Sequence, residues 1–309
     1  MGRYVARRLL QMIPVFLGTT LLIFLMVNVL PGDPVAALWG DKPPDPAQMA
    51  QIKHDLGLDL PLWQQYLHYL GNLLQGDFGS TIAGNRPVID EMTGAFPVSI
   101  RLALMAFVFE MVVGIFFGVL AGVKRGKMID TGVTVFTLLV ISVPVFVLGL
   151  LGQQIFGTQL GWVKPNVSES PTLGELLLPA LVLGSLSLAY VARLTRTSIA
   201  ENARADYMRT AIAKGLPQRR IVSVHLLRNS LIPVVTYLGT DIGSLMAGAV
   251  VTEGIFNVQG VGNLLFDALA RREGTVVVGC VTVFVLIYLA ANLLVDLLYA
   301  VLDPRIRYA

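Results

Sequence analysis

Six long stretches of this chain are all but free of charge: Leu9–Leu30, Leu102–Val123, Thr131–Phe156, Leu176–Ala192, Asn229–Thr252 and Gly274–Val295. Only Glu110 and Asp241 interrupt them. A helix that crosses the hydrocarbon core of a bilayer needs roughly 20 mostly apolar residues, with a tolerance of about 17–25. All six stretches qualify. Strands of a membrane barrel run to about ten residues and alternate in polarity, and no stretch here alternates that way. Lipid offers no partner to a backbone amide, so these runs are expected to satisfy their own hydrogen bonds as helices. The composition agrees: 55% hydrophobic and 14% charged, against about 25% charged in a soluble domain. The sequence therefore predicts an all-α membrane protein of six transmembrane helices.

Lysine and arginine give the orientation, because they collect in cytoplasmic loops. Arg3, Arg7 and Arg8 precede the first run, and Lys124, Arg125 and Lys127 separate the second from the third. Between the fourth and fifth come Arg193, Arg196, Arg204, Arg209, Lys214, Arg219, Arg220 and Arg228, against only Glu201 and Asp206. The stretch 32–97 has the opposite balance, with Lys42, Lys53 and Arg86 facing eight acidic side chains. Both termini are thus expected in the cytoplasm, with Arg271-Arg272 the one pair on the wrong side. The net charge of +3 follows from this topology and gives no reason to expect nucleic acid as a partner. The basic-then-apolar start resembles a secretion signal. Its apolar run of 22 residues exceeds the roughly 7–15 of a signal core, and no A-x-A site follows, so an uncleaved first helix is expected. Cys280, the single cysteine, is read as a small buried hydrophobe.

The chain divides on this reading into an N-terminal helix at 1–31, an extracytoplasmic helical insertion at 32–97, and a five-helix core at 98–309. Pro31-Gly32-Asp33-Pro34 stops the first helix sharply. Trp63, Tyr66, Leu67, Leu70, Leu73 and Leu74 recur at helical spacing, which predicts an amphipathic helix on the outer surface. That insertion caps the bundle or helps to seat an external protein. Small residues repeat every fourth position at Gly114, Gly118 and Gly122, and again at Gly239, Gly243 and Ala247, which predicts close helix packing. Pro14, Pro144, Pro179 and Pro233 permit kinks. No internal repeat is visible, which counts against carriers built from inverted repeats.

Chemistry is sparse. The sequence contains no G-x-x-x-x-G-K-[ST] phosphate loop, no G-x-G-x-x-G and no H-E-x-x-H. His54, His68 and His225 are scattered and lack metal-ligand spacing. No cofactor is expected on this chain, and it is not expected to be an enzyme by itself. Charges inside spans are costly and point to function by default. Glu110 and Asp241 are therefore candidates for a translocation pathway, with Ser244 and Pro144 beside them; the alternative is that each carboxylate pairs with a neighbour such as Arg101 or a serine. Near the end of the last run, a structural hydrogen bond is expected for Asp296 and Tyr299.

The segment 193–229 is different. Arg209–Lys214 continues a helix, Gly215 suits a left-handed cap, and Pro217 suits the first turn of a new short helix running to about Val224. Arg228 and Asn229 then lead to Pro233, where the next span begins. Helix, break, short helix, break, helix makes a compact basic elbow, more than is needed to fix topology or touch anionic lipid.

On these residues the chain resembles the membrane subunit of an ATP-binding-cassette importer. The Thr210-Ala211…Gly215 spacing with Ile232-Pro233 matches the coupling signature of such permeases, although Arg209 stands where that signature opens with glutamate. RTAxAKGL followed by LRNxLIPV is similar to the dipeptide/oligopeptide/nickel branch, as are LPGDP at 30–34, Leu56–Leu74, Gln75–Gly79, EGIFNVQGVG at 253–262 and DPRIR at 303–307. The resemblance implies a second homologous permease, one or two cytosolic ATPases that bind ATP and Mg, and an extracytoplasmic protein that delivers the substrate. It implies that Arg209, Thr210, Ala211, Lys214, Gly215, Leu216, Pro217, Arg219, Arg220 and Val224 form the contact with an ATPase. It implies peptide as cargo, with nickel or another small solute as the alternative. A stand-alone ion-coupled carrier would explain Glu110 and Asp241 but leave the elbow idle, and a scaffold without transport would leave both idle.

Overall fold

The computed structural model describes residues 2–29, 46–55, 57–81 and 86–302. Among these every regular element is helical, and strand pairing is limited to an isolated bridge between Ser80 and Pro87. The turn expected at 31–34 and the DPRIR ending lie outside the described residues.

Helix α1 covers Gly2–Val29; α2 (Pro46–Asp55) and α3 (Leu62–Leu74) follow it. The second apolar run lies in α4, Val88–Val123, which begins well before Leu102 and passes through Pro97. The expected boundary at 97/98 thus falls inside one helix, because the polar first turns of α4 are already helical. The third run is split into α5 (Met128–Ser142) and α6 (Val145–Gly152), bent by 100°. Pro144 accounts for the break: it has no amide hydrogen and drives Val143 into the extended region, at φ −101° and ψ 126°. A π-helical turn, Gln153–Gln159, extends α6.

The fourth run is α7 (Leu173–Leu183) and α8 (Ser185–Asn202), bent by 57° at Gly184 rather than at Pro179. A capping box at Thr172 and Glu175 starts α7. Next come α9 (Asp206–Ala213), α10 (Gln218–Arg220), a π-helical turn at Ile221–Leu227 and α11 (Arg228–Ser230). The bundle closes with α12 (Ile232–Phe256), α13 (Val261–Arg271) and α14 (Gly274–Leu302). Four helices are long and apolar enough to cross a membrane, or six if each bent pair counts as one span.

The tightest packing joins α4 to α8, which run in the same direction. Gly114 faces Val191, Gly118 faces Thr195 and Gly122 faces Ile199. A Cβ on Gly118 would sit 2.5 Å from the Thr195 Cβ and 2.6 Å from the Ala192 carbonyl oxygen. The second small-residue ridge is realised in part: Gly239 meets Val295 and Gly243 meets Tyr288 on α14, whereas Ala247 is exposed. Two larger apolar cores join helices elsewhere in the bundle. Leu102, Ala106, Leu176, Leu183, Leu245 and Phe256 join α4, α7 and α12. Val88, Met92, Val261, Leu265, Val276 and the buried Cys280 join α4, α13 and α14.

Helix α3 does more than lie on a surface. The Tyr66 hydroxyl donates to the Leu17 carbonyl at 3.0 Å and lies 3.0 Å from the Thr20 hydroxyl. Its neighbour Tyr69 reaches the Thr282 hydroxyl at 2.5 Å, and burial raises the Tyr69 phenol above its ordinary pKa. The insertion is thereby tied to α1 and α14. Asp296 on α14 pairs with Arg8 on α1 at 3.0 Å.

A Gly118→Leu substitution is expected to separate α4 from α8, at a cost of about 1–3 kcal/mol for an overpacked contact. Gly132→Ala, where an added Cβ meets nothing within 4 Å, is expected to keep or slightly raise the melting temperature in detergent, as Ala favours a helix over Gly. Melting curves of the two variants check this.

Candidate functional site

The elbow is built on α8. The Tyr207 hydroxyl donates to Asn202 Oδ1 at 2.5 Å, folding α9 back on the end of α8. Lys214 closes α9, and Gly215 follows in the left-handed region at φ 67°. A side chain there would be strained by its backbone alone, since an added Cβ would meet nothing within 4 Å. Extended Pro217 then starts α10, as its fixed φ and missing amide hydrogen favour.

The expected second break is absent. Leu231 stays in the right-handed region, its amide donates to the Leu227 carbonyl at 2.9 Å, and the Val235 amide donates to Leu231 at 2.8 Å. Pro233 falls in the first turn of α12, where an amide hydrogen is not needed. The short helix therefore widens into a π turn and runs on through 230 instead of ending near Val224.

Ile199, Met208, Ala211, Ile221 and Leu226 form a buried apolar cluster under the elbow, with Val119 of α4 and Leu216 packed against it. The Ser230 hydroxyl reaches the Ser198 carbonyl at 3.4 Å. Of the residues expected to meet an ATPase, Ala211 is thus a foundation residue and Leu216 is half-buried. Arg209, Thr210, Lys214, Gly215, Pro217, Arg219, Arg220 and Val224 are all exposed. Ile212 at 60% exposure and Val224 at 45% are apolar patches among these cations. Apolar anchors within a charged rim are the usual anatomy of a protein interface. Arg196 does not belong to the exposed set, because it reaches across to Asp130.

The pathway candidates divide. Glu110 and Asp241 come within electrostatic reach of each other, near Ser187 and Tyr237, whose hydroxyl donates to Asp241 Oδ1 at 3.3 Å. Both are buried, at 0% and 7% exposure, and both Glu110 oxygens and Asp241 Oδ2 lack a hydrogen bond. Their neighbours are each other and Ser187, a serine as the alternative reading allows, whereas Arg101 is exposed. Ser244 is exposed on α12, three residues after Asp241, and Pro144 marks the bend between α5 and α6.

A family model described as "Binding-protein-dependent transport system inner membrane component" matches residues 114–308, and a companion model for the N-terminal part matches 1–103. The chain belongs to this family. The Di/tripeptide transport system permease protein DppB of Pseudomonas aeruginosa is 40% identical, covering 99% of this chain and 98% of the relative. The Dipeptide transport system permease protein DppB of Escherichia coli K12 is 40% identical over 100% and 99%. The Glutathione transport system permease protein GsiC of Escherichia coli K12 is 39% identical over the whole of both chains. A crystal structure of an amino acid ABC transporter with histidines shares the fold at TM-score 0.55 and 14% identity, covering 68% of this chain and 93% of that one. The protein is thus an ABC transporter permease and a multi-pass inner membrane protein.

One polar centre of this permease was not singled out from sequence. Glu253, fully buried at the end of α12, accepts from the Ser99 hydroxyl at 2.6 Å and from the Asn263 amide at 3.0 Å. The Val261 amide donates to Ser99 Oγ at 2.9 Å. This clamp fixes the α12–α13 turn, with Asn257 left-handed at φ 51°, against the first third of α4. The available signal was a glutamate at the edge of an apolar run followed by N-x-x-G-x-G. Ser99→Ala is expected to leave the buried carboxylate short of a donor, at a cost of about 1–3 kcal/mol. Exposed Ser223, which bonds only within its own turn, supplies the control: Ser223→Ala is expected to leave the melting temperature in detergent unchanged.

Proposed function

We propose that this permease spans the membrane six times, with both termini in the cytoplasm, and imports di- and oligopeptides in an ATP-driven complex. A second, homologous permease completes the pathway, cytosolic ATPases supply the energy, and an extracytoplasmic binding protein delivers the peptide. The cargo reading is supported by relatives that match end to end at 39–40% identity and are named for dipeptides, tripeptides and glutathione. On this reading the bent pairs α5/α6 and α7/α8 are single spans, and the elbow faces the cytosol.

The observation that carries the mechanism is the elbow's construction. Its exposed residues include Lys214, Arg219 and Arg220 together with apolar Ile212 and Val224, while its inner face is seated on α4 and α8 through Ile199 and Val119. ATP binding draws the two ATPases together, each pushes its elbow, and the seat passes the push to the spans. Moving a two-state equilibrium from 1:99 to 99:1 takes about 5.5 kcal/mol. A loosely hung loop would dissipate that work, whereas a helix with a buried apolar base transmits it. The ATPases hold ATP and Mg; this chain holds neither.

In proteoliposomes carrying the full importer, Gly215→Val is expected to lower peptide uptake about fivefold or more. A β-branched residue resists left-handed φ at a cost of about 1–3 kcal/mol that falls on the turn, and the transmembrane bundle should still fold and assemble. Arg219→Glu with Arg220→Glu should weaken ATPase capture in a salt-dependent way. Normal uptake by both variants with the same ATPases would refute the assignment.

A further inference from the structure

Helix α5 is held to this molecule in an unusual way. Its only buried residues are Asp130 and Thr137, and the Thr137 hydroxyl bonds to its own helix at Thr134. Val135, Phe136, Leu138 and Leu139 are all exposed. No apolar side chain of α5 is buried, so packing alone holds this helix weakly.

What fastens it is Asp130. The carboxylate takes both prongs of the Arg196 guanidinium: Nε meets Oδ1 and Nη2 donates to Oδ2 at 3.0 Å. The Gly126 amide, in the turn between α4 and α5, donates to Oδ2 at 2.8 Å. The Asp130 side chain is only 6% exposed and that of Arg196 29%, so water competes little for the pair. A two-pronged arginine–carboxylate contact fixes direction as well as distance. Arg196 lies on α8, one turn before Ile199, the residue on which the elbow is seated. At its other end α5 passes through the Pro144 bend into α6, where Gly149 faces Ile255 and Phe256 at the end of α12.

We infer that the Asp130–Arg196 pair is the link through which movement of the elbow and α8 is handed to α5, and by way of the Pro144 bend to α6 and the far end of α12. Asp130 and Arg196 are positioning residues: neither touches the peptide, and they act through the helices they join. The inference rests on the elbow being the contact with the ATPase. A helix fastened at one end by a rigid fork, and without a buried apolar side chain along its length, follows that fork when it moves. With the fork cut, α8 would move while α5 stayed behind.

The test uses the assembled importer in proteoliposomes and reads ATP hydrolysed and peptide accumulated side by side. Asp130→Asn keeps an acceptor for the Gly126 amide and removes the charge that holds Arg196; Arg196→Gln removes the fork. Each is expected to lower the peptide moved per ATP about tenfold, within the usual range of coupling between sites. Hydrolysis should stay near the parent rate. The double variant should be no worse than either single one, as expected for two residues acting through one contact. An unchanged ratio of peptide to ATP would overturn the inference. So would a proportional fall of hydrolysis, uptake and assembled complex, which would mark the pair as merely structural. If the elbow variants transport normally, the elbow reading fails first; if they uncouple and Asp130→Asn does not, only the link fails.

Discussion

With no Cβ on Gly114, Gly118 or Gly122, the backbone of α4 comes into direct contact with Val191, Thr195 and Ile199 of α8. The arrangement of the elbow end follows from that approach. It sets Ile199 and Val119 side by side as a floor, and on that floor Met208, Ala211, Ile221 and Leu226 converge. In lipid there is little hydrophobic gain from pressing two apolar helices together, so close packing of small residues supplies the attraction instead. The seat of the elbow is thus determined by the close contact between α4 and α8.

Polar groups inside the spans follow two regimes. Glu253 is satisfied by a hydroxyl and a backbone amide, and it serves to pin a turn to a neighbouring helix. Glu110 and Asp241 are buried near each other with three carboxylate oxygens unpaired. The first arrangement is a finished structural joint. The second leaves unmet hydrogen-bonding demand between α4 and α12, the property that makes an intramembrane carboxylate a functional candidate.

Much of the fold was legible because the bilayer simplifies the reading: length and lack of charge suffice to locate a span. The ridge at Gly114–Gly122, the left-handed Gly215 and the break at Pro144 could be read from residue type, since each depends on a local backbone or steric rule. The start of α4 at Val88 could not, because a helix continues into polar sequence wherever its first turns find neighbours, here Val261 and Val276. The bend at Gly184 was hidden behind Pro179, the louder signal. In the site, the basic surface was visible from charge count. The split between seated Ala211 and exposed Lys214, and the diversion of Arg196 to Asp130, depended on which face of the helix turned inward. Partners far apart in sequence, such as Ser99 and Glu253, leave no local trace.

The turn at Gly215 stands in open space, its shape set by backbone conformation and not by anything packed against it. Gly215 itself is bound by its left-handed backbone, but exposed positions without such a constraint usually shift stability by less than about 0.5 kcal/mol when substituted. The outward side chains near it, Ile212, Lys214, Arg219 and Arg220, are therefore nearly uncoupled from the energetics of the bundle. On the proposed reading of the elbow, these side chains can change to suit a different ATPase without disturbing the bundle, so the pathway and the choice of what drives it are energetically separable.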